Sequence, residues 1–103
     1  HGTPVNSFAD ADVVVGDGAE FALPARAALV TWQHYTTVNP ASVTILIETS
    51  IDGTVWNTAD SDTTVTGAIK TFETSARFIR ARISAETGSG TGLYVSITTR
   101  AIG

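Results

Sequence analysis

Residues 43–53 read Val43-Thr44-Ile45-Leu46-Ile47-Glu48-Thr49-Ser50-Ile51-Asp52-Gly53, and their pattern decides the fold class. In an extended chain, Val43, Ile45 and Ile47 point one way and Thr44, Leu46 and Glu48 the other. The second side is itself partly apolar, which predicts a strand near the middle of a sheet. Asp52-Gly53 stops the run, because glycine tolerates the positive φ that a tight hairpin turn requires. Val55-Trp56 is then expected to begin the return strand.

Similar short runs lie on both sides. Upstream, Val13–Val15 reads as a strand ended by Gly16-Asp17-Gly18. Ala19–Leu23 alternates, with Phe21 and Leu23 on one side and Pro24 as a stop. Ala27–Tyr35 follows, carrying Trp32, His34 and Tyr35. Downstream, Thr63–Val65 and Ala68–Phe72 are split by Gly67. Arg77–Ser84 sets Ile79, Ala81 and Ile83 against Phe78, Arg80 and Arg82. Leu93–Thr99 sets Leu93, Val95 and Ile97 against Tyr94, Ser96 and Thr98. Gly88-Ser89-Gly90-Thr91-Gly92 reads as a flexible hairpin loop between the last two strands. Roughly seven to nine short strands separated by regular turn signals predict an all-β protein. The expected architecture is a single antiparallel β-sandwich over residues 13–103, jelly-roll or Ig-like. Residues 1–12 lack a clean period and contain Pro4, which cannot donate to a ladder. They are expected to form an extended arm with two apolar anchors, Val5 and Phe8.

Composition agrees. Thr, Val and Ile supply about a third of the 103 residues, and branching at Cβ suits a pleated surface better than a helix. A chain of this length buries roughly two-thirds of its unfolded surface, enough for one modest core. There is no cysteine, so stability must come from that core and from assembly. The net charge of -4 and the single lysine, Lys70, disfavour nucleic acid and anionic membranes as partners. The apolar runs are too short to span a bilayer as helices. The chain opens at His1, without a methionine, which points to processing or to a start inside a longer product, and no signal-peptide pattern is present.

Constellations for catalysis are thin. A nucleophile–histidine–acid triad needs a histidine base, and the histidines are His1 and His34. His34, beside Trp32 and Tyr35, reads as a structural or surface residue. Copper chelation by His1 with His34 is formally open, but the companion ligands for such a site are missing. Asp10, Asp12 and Asp17, or Asp60 and Asp62, lack the spacing of a calcium loop and read as turn aspartates. The expectation is therefore no enzyme, no catalytic residue, no metal and no cofactor. Arg80 and Arg82 share one strand face, either as a solvated face paired with Glu48 or Glu73 or as a contact surface. Trp56 reads as core, plugging one end of the sandwich.

Two stretches carry a family likeness. One is Glu48-Thr49-Ser50-Ile51-Asp52-Gly53-Thr54-Val55-Trp56, and the other is Ala76-Arg77-Phe78-Ile79-Arg80-Ala81-Arg82-Ile83-Ser84. Together, over residues 43–99, they resemble small β-sandwich virion proteins of tailed bacteriophages, both capsid decoration (cement) proteins and tail or fibre modules. The same elements are similar to parts of discoidin-type carbohydrate-binding domains, although this chain is shorter and has no cysteine. The phage resemblance implies a homotrimer on the outer capsid surface, made in the host cytoplasm. It would bind the major capsid protein or another virion protein and stabilise the shell. The candidate partner-binding residues are Val5, Phe8, Trp32, His34, Tyr35, Arg80, Arg82 and Tyr94, with the arm adding a strand to a neighbour's sheet. In the carbohydrate alternative, Trp32, Tyr35 or Tyr94 would be the sugar platform.

Overall fold

A computed structural model describes residues 4–24 and 26–102. Eight strands follow one another: β1 (Val5–Ala11), β2 (Gly16–Ala22), β3 (Ala28–Tyr35), β4 (Ser42–Ser50), β5 (Asn57–Asp62), β6 (Ala68–Thr74), β7 (Phe78–Thr87) and β8 (Leu93–Ala101). They form two antiparallel sheets, ordered β1-β8-β3-β6 (sheet A) and β2-β7-β4-β5 (sheet B). Of the connections between these strands, β4–β5 alone stays within one sheet; every other crosses to the opposite layer. This is the strand order of a jelly roll, which decides between the two sandwich types expected.

The alternating runs supply the core as expected. Val30 and Trp32 from β3, Ile45 and Ile47 from β4, Ile79, Ala81 and Ile83 from β7, and Leu93, Val95 and Ile97 from β8 are all buried. Branched side chains from the two inner faces interdigitate between layers about 10 Å apart.

The expected arm is a strand. Val5–Ala11 pairs antiparallel with β8 along the edge of sheet A; residues 1–3 of the expected arm lie outside the described residues. Its apolar residues Val5, Phe8 and Ala11 oppose the inward residues Ile97, Val95 and Leu93, with a register shift after each step. Three residues of β1 therefore match two of β8, because each bulge inserts one extra residue. The apolar spacing becomes three, which hides the strand from a period-2 reading.

Strand β2 carries the matching irregularity: Asp17 opposes Arg82 but Glu20 opposes Arg80. Gly16-Asp17-Gly18 thus opens a strand and does not end one. Val13 is a buried plug outside any strand, its N–H bonded to the Gly90 carbonyl at 2.9 Å. The two bulges meet at Ser7. Its hydroxyl donates to the Ala19 carbonyl at 2.7 Å and accepts from the Ala81 N–H at 2.9 Å. One buried side chain so joins sheet A to β2 and β7, two neighbouring strands of sheet B. Gly18 is required beside it, since a Cβ there would stand 2.6 Å from the Ser7 carbonyl oxygen.

Two loops differ from expectation. Gly53 has φ +77° as the turn demands, but the return strand starts at Asn57, not at Val55. The Asp52 carboxylate accepts the N–H groups of Thr54 and Val55 at 2.9 and 3.0 Å, which takes both out of the ladder. Residues 88–92 do not close a hairpin. They carry the chain from sheet B to sheet A, tied down by paired bonds between Val38 and Thr91 and by the Thr37 N–H on the Gly92 carbonyl.

Replacing Ser7 with alanine leaves the Ala81 N–H buried without a partner. The Ser7→Ala variant should be destabilised by about 1–3 kcal/mol. The urea midpoint should fall while the m-value is unchanged.

Candidate functional site

Each sheet turns one side of its strands to solvent, and the two outer faces differ chemically. On sheet B, Arg80 donates from Nε to Glu48 at 2.9 Å and lies 3.4 Å from Asp17. Arg82 pairs with the other Asp17 oxygen at 2.8 Å. The Arg80 guanidinium also sits 4.2 Å from the centre of the Trp56 ring, where the ring quadrupole favours a cation. Arg80, Arg82, Asp17 and Glu48 thus form one paired network on this face, with Glu20 of β2 exposed beside it. Arg80 and Arg82 share a face as expected, and Glu48 is the cross-strand partner. Glu73 belongs to the other sheet, and Asp17 takes the place expected for it. Trp56 is half-buried on this outer face and does not plug the end of the sandwich.

Sheet A presents the opposite. Tyr35 and Tyr94 face each other across β3 and β8, and below them come rows of Asn6-Ser96-Gln33-Ile69 and Thr98-Thr31-Thr71. None of these side chains is charged. The hydroxyl and amide groups bond to one another: Ser96 donates to the Asn6 carbonyl oxygen at 2.7 Å, and Thr31 and Thr71 share a 3.2 Å bond. Charge returns only in the next row, Arg100-Leu29-Glu73. The tyrosine rings are stacked, 5.0 Å between centres and 12° between planes. Their faces are largely spent on each other, which leaves a poor flat platform for a sugar ring.

Trp32 and His34 do not reach a partner. They are 1% and 2% exposed, because they share the inward phase of β3 with Ala28 and Val30. Their rings stack at 5.6 Å and point at β5, the edge strand of sheet B. Trp32 Nε1 donates to Asp60 at 2.9 Å, and His34 Nε2 lies 2.6 Å from Asp62. Lys70 on β6 completes the clasp, 3.3 Å from Asp60 and bonded to the Ser61 carbonyl at 2.6 Å. Val5 and Phe8 are half-buried against the core, so they anchor β1 and not an arm. Of the eight candidates, Tyr35 and Tyr94 together occupy an open face. Its other members, Gln33, Ser96, Thr31 and Thr98, were missed by a search for aromatic and charged residues. The outward phase of β3 and β8 was the signal that could have found them.

Burial pushes the carboxyls of Asp60 and Asp62 up, but their hydrogen bonds outweigh it. Trp32, the Ser61 N–H and Lys70 act on Asp60; His34 and the Thr64 N–H act on Asp62. Both carboxyls end below the ordinary value of 3.8. With Asp62 ionised, His34 Nε2 must carry the proton it donates. No group of three or more metal-ligating side chains exists among the described residues, and no helix there is long and apolar enough to cross a membrane.

No family model and no curated protein matches the chain. Among solved structures, the SPBc2 prophage-derived protein YomS aligns over 95% of this chain and 94% of its own, with a TM-score of 0.59 and 12% identity. A chain from the Bacillus endospore appendages, described as disulfide-linked pili, aligns over 100% and 87%, with a TM-score of 0.55 and 13% identity. At such identities the likeness establishes the shared fold and nothing finer.

Folding lowers both carboxyl pKa values, so the clasp stabilises the fold fully above the unfolded value of 3.8. That contribution is lost as pH falls through the lowered folded values. The melting temperature should hold steady from about pH 7 to 5 and drop below about pH 4. An Asp60→Asn, Asp62→Asn double variant should melt lower at neutral pH and show a shallower acid decline. An equally steep decline in that variant would remove the clasp as its cause.

Proposed function

We propose that this chain is a non-enzymatic structural subunit of a bacteriophage particle, most specifically a decoration protein that lies on the outer capsid surface and cements it. The observation that carries this reading is the outer face of sheet A, whose rows from Tyr35–Tyr94 to Thr98-Thr31-Thr71 on β3, β6 and β8 carry no charge. Its polar groups are hydroxyls and amides that bond laterally, and its two tyrosines stand together at one end. Aromatic groups without formal charge are the composition of an interface core. Meanwhile the groups able to do acid–base chemistry, His34, Asp60, Asp62 and Lys70, are bound to one another between the sheets. That one structural neighbour is prophage-derived supports a phage setting.

Size argues for multiple contacts. Four strands about 4.8 Å apart, each about seven residues long, give a face of roughly 450 Å². A standard interface uses about 800 Å² per partner. One face alone therefore binds weakly, and stable attachment follows when several copies engage a repeating lattice together. A trimer bridging neighbouring capsid subunits meets that need, and a binder of the assembled shell stabilises it by mass action. A tail or fibre position uses the same face and is the second reading within the same class. The stacked tyrosines and the burial of Trp32 weigh against a carbohydrate module.

Gradient-purified particles from the source should contain this chain, detected by an antibody raised against it. Recombinant chain should rebind particles stripped of it and raise the temperature at which their DNA is released. A Thr31→Glu variant puts a charge in the middle of the neutral face and should keep its fold but lose rebinding. A chain found only in the unsedimented fraction, or full rebinding by the variant, would sink the proposal.

A further inference from the structure

The molecule is elongated, 41 × 26 × 18 Å. A ten-residue strand spans about 33 Å, so the long dimension runs along the strands and the loops gather at its two poles. One pole holds the loops 12–15, 36–41, 63–67 and 88–92. The other holds 23–27, 51–56 and 75–77.

Most of the large exposed apolar side chains sit at these poles. Val14, Val15 and Val38 are 56–59% exposed at the first pole; Ile51 and Val55 are 79% and 63% exposed at the second. On the strands, only Tyr35, at the end of β3, and Ile69 are exposed to a comparable degree. The charges divide as well. The first pole's loops contain no lysine or arginine, and Asp12 stands among them with Asp10 and Glu86 at the adjoining strand ends. At the second pole, Arg77 and Arg100 are exposed and make no ion pair among the described residues. The one acid in that pole's loops, Asp52, has its carboxylate occupied by Ser50, Thr54 and Val55. Glu20 and Glu73 lie in the same half, but on strands.

We propose that copies of this chain associate pole to pole, the valine-bearing acidic end of one seating on the Ile51–Val55 end of the next beside Arg77 and Arg100. Each end then covers apolar loop tips that a monomer leaves in water. Charge complementarity selects the head-to-tail pairing, since joining two acidic poles would bring like charges together. An anionic membrane is repelled by the same acids. A head-to-tail contact leaves a free end at each side, so it propagates into a ring or a filament. This self-association does not depend on the virion reading, and an axial repeat near 41 Å would be its dimension.

Two blocked variants test it by sedimentation velocity at low salt, with near-ultraviolet circular dichroism confirming the fold. One carries Val14→Asp and Val38→Asp, and the other carries Ile51→Asp and Val55→Asp. The native chain should grow in mean mass with concentration and shrink with added salt. Each variant alone should remain a monomer. Their equimolar mixture should stop at a dimer, because one intact interface can form between them. A native chain that stays monomeric to millimolar concentration overturns the proposal. So does either variant self-associating alone, or a mixture that remains monomeric.

Discussion

Two four-stranded sheets laid face to face leave four edge strands, and closing those edges is the constraint on which this structure depends. The two sides solve it differently. On the β1/β2 side, bulges in both strands bend them together, and the Ser7 hydroxyl supplies the donor and acceptor that the β2 bulge removes from the ladder. On the β5/β6 side, Phe72 and Val65 pack against the core, but β5 itself brings no large apolar side chain to it. Asp60 and Asp62 of one sheet instead reach inward to Trp32, His34 and Lys70 of the other. A buried carboxylate is tolerable because its hydrogen bonds replace the water it lost.

The same devices limit how the molecule can meet a partner. Bulges and inward-pointing charges are the means by which sheet proteins keep their edges from pairing with other chains. Here β1, β2 and β5 carry bulges, and β5 and β6 carry the inward charges. Strand addition at an edge is thereby disfavoured, and residues 5–11 of the expected arm are already paired within the sandwich as β1. What remains open are the two broad faces and the two poles. The charged face satisfies itself, which leaves the neutral face and the loop tips.

How much of this was legible depended on whether the ladder was regular. Strands β3, β4 and β8, and β7 as far as Ile83, kept their alternation, and their inward residues could be read directly from Val30, Ile45, Ile79 and Val95. The Arg80–Glu48 pair was legible for the same reason. Strand β1 was not, because its bulges turned a spacing of two into three. Trp32 and His34, expected among the partner-binding residues, share the inward phase of Val30 and are buried. Their partners Asp60 and Asp62 come from a strand in the other sheet, and no local pattern announces which strands a jelly roll brings together. Trp56 missed its expected place because Asp52 captured two backbone N–H groups and delayed the return strand.

Stability and assembly then rest on separate parts of one small chain. The 103 residues contain no cysteine, so no disulfide within them cross-links the layers or ties one copy to another. The layers are held by the apolar core and by polar closures, Ser7 buried and the Asp60–Asp62 clasp half-buried. The proposed contacts between molecules use a neutral face and charged, solvent-facing poles, where screening is strong. Conditions that loosen an assembly of these chains therefore need not unfold its members. The proposed attachment by a stable subunit would be reversible because the paired charges lie between the sheets and along sheet B, away from the ends where Arg77 and Arg100 stand.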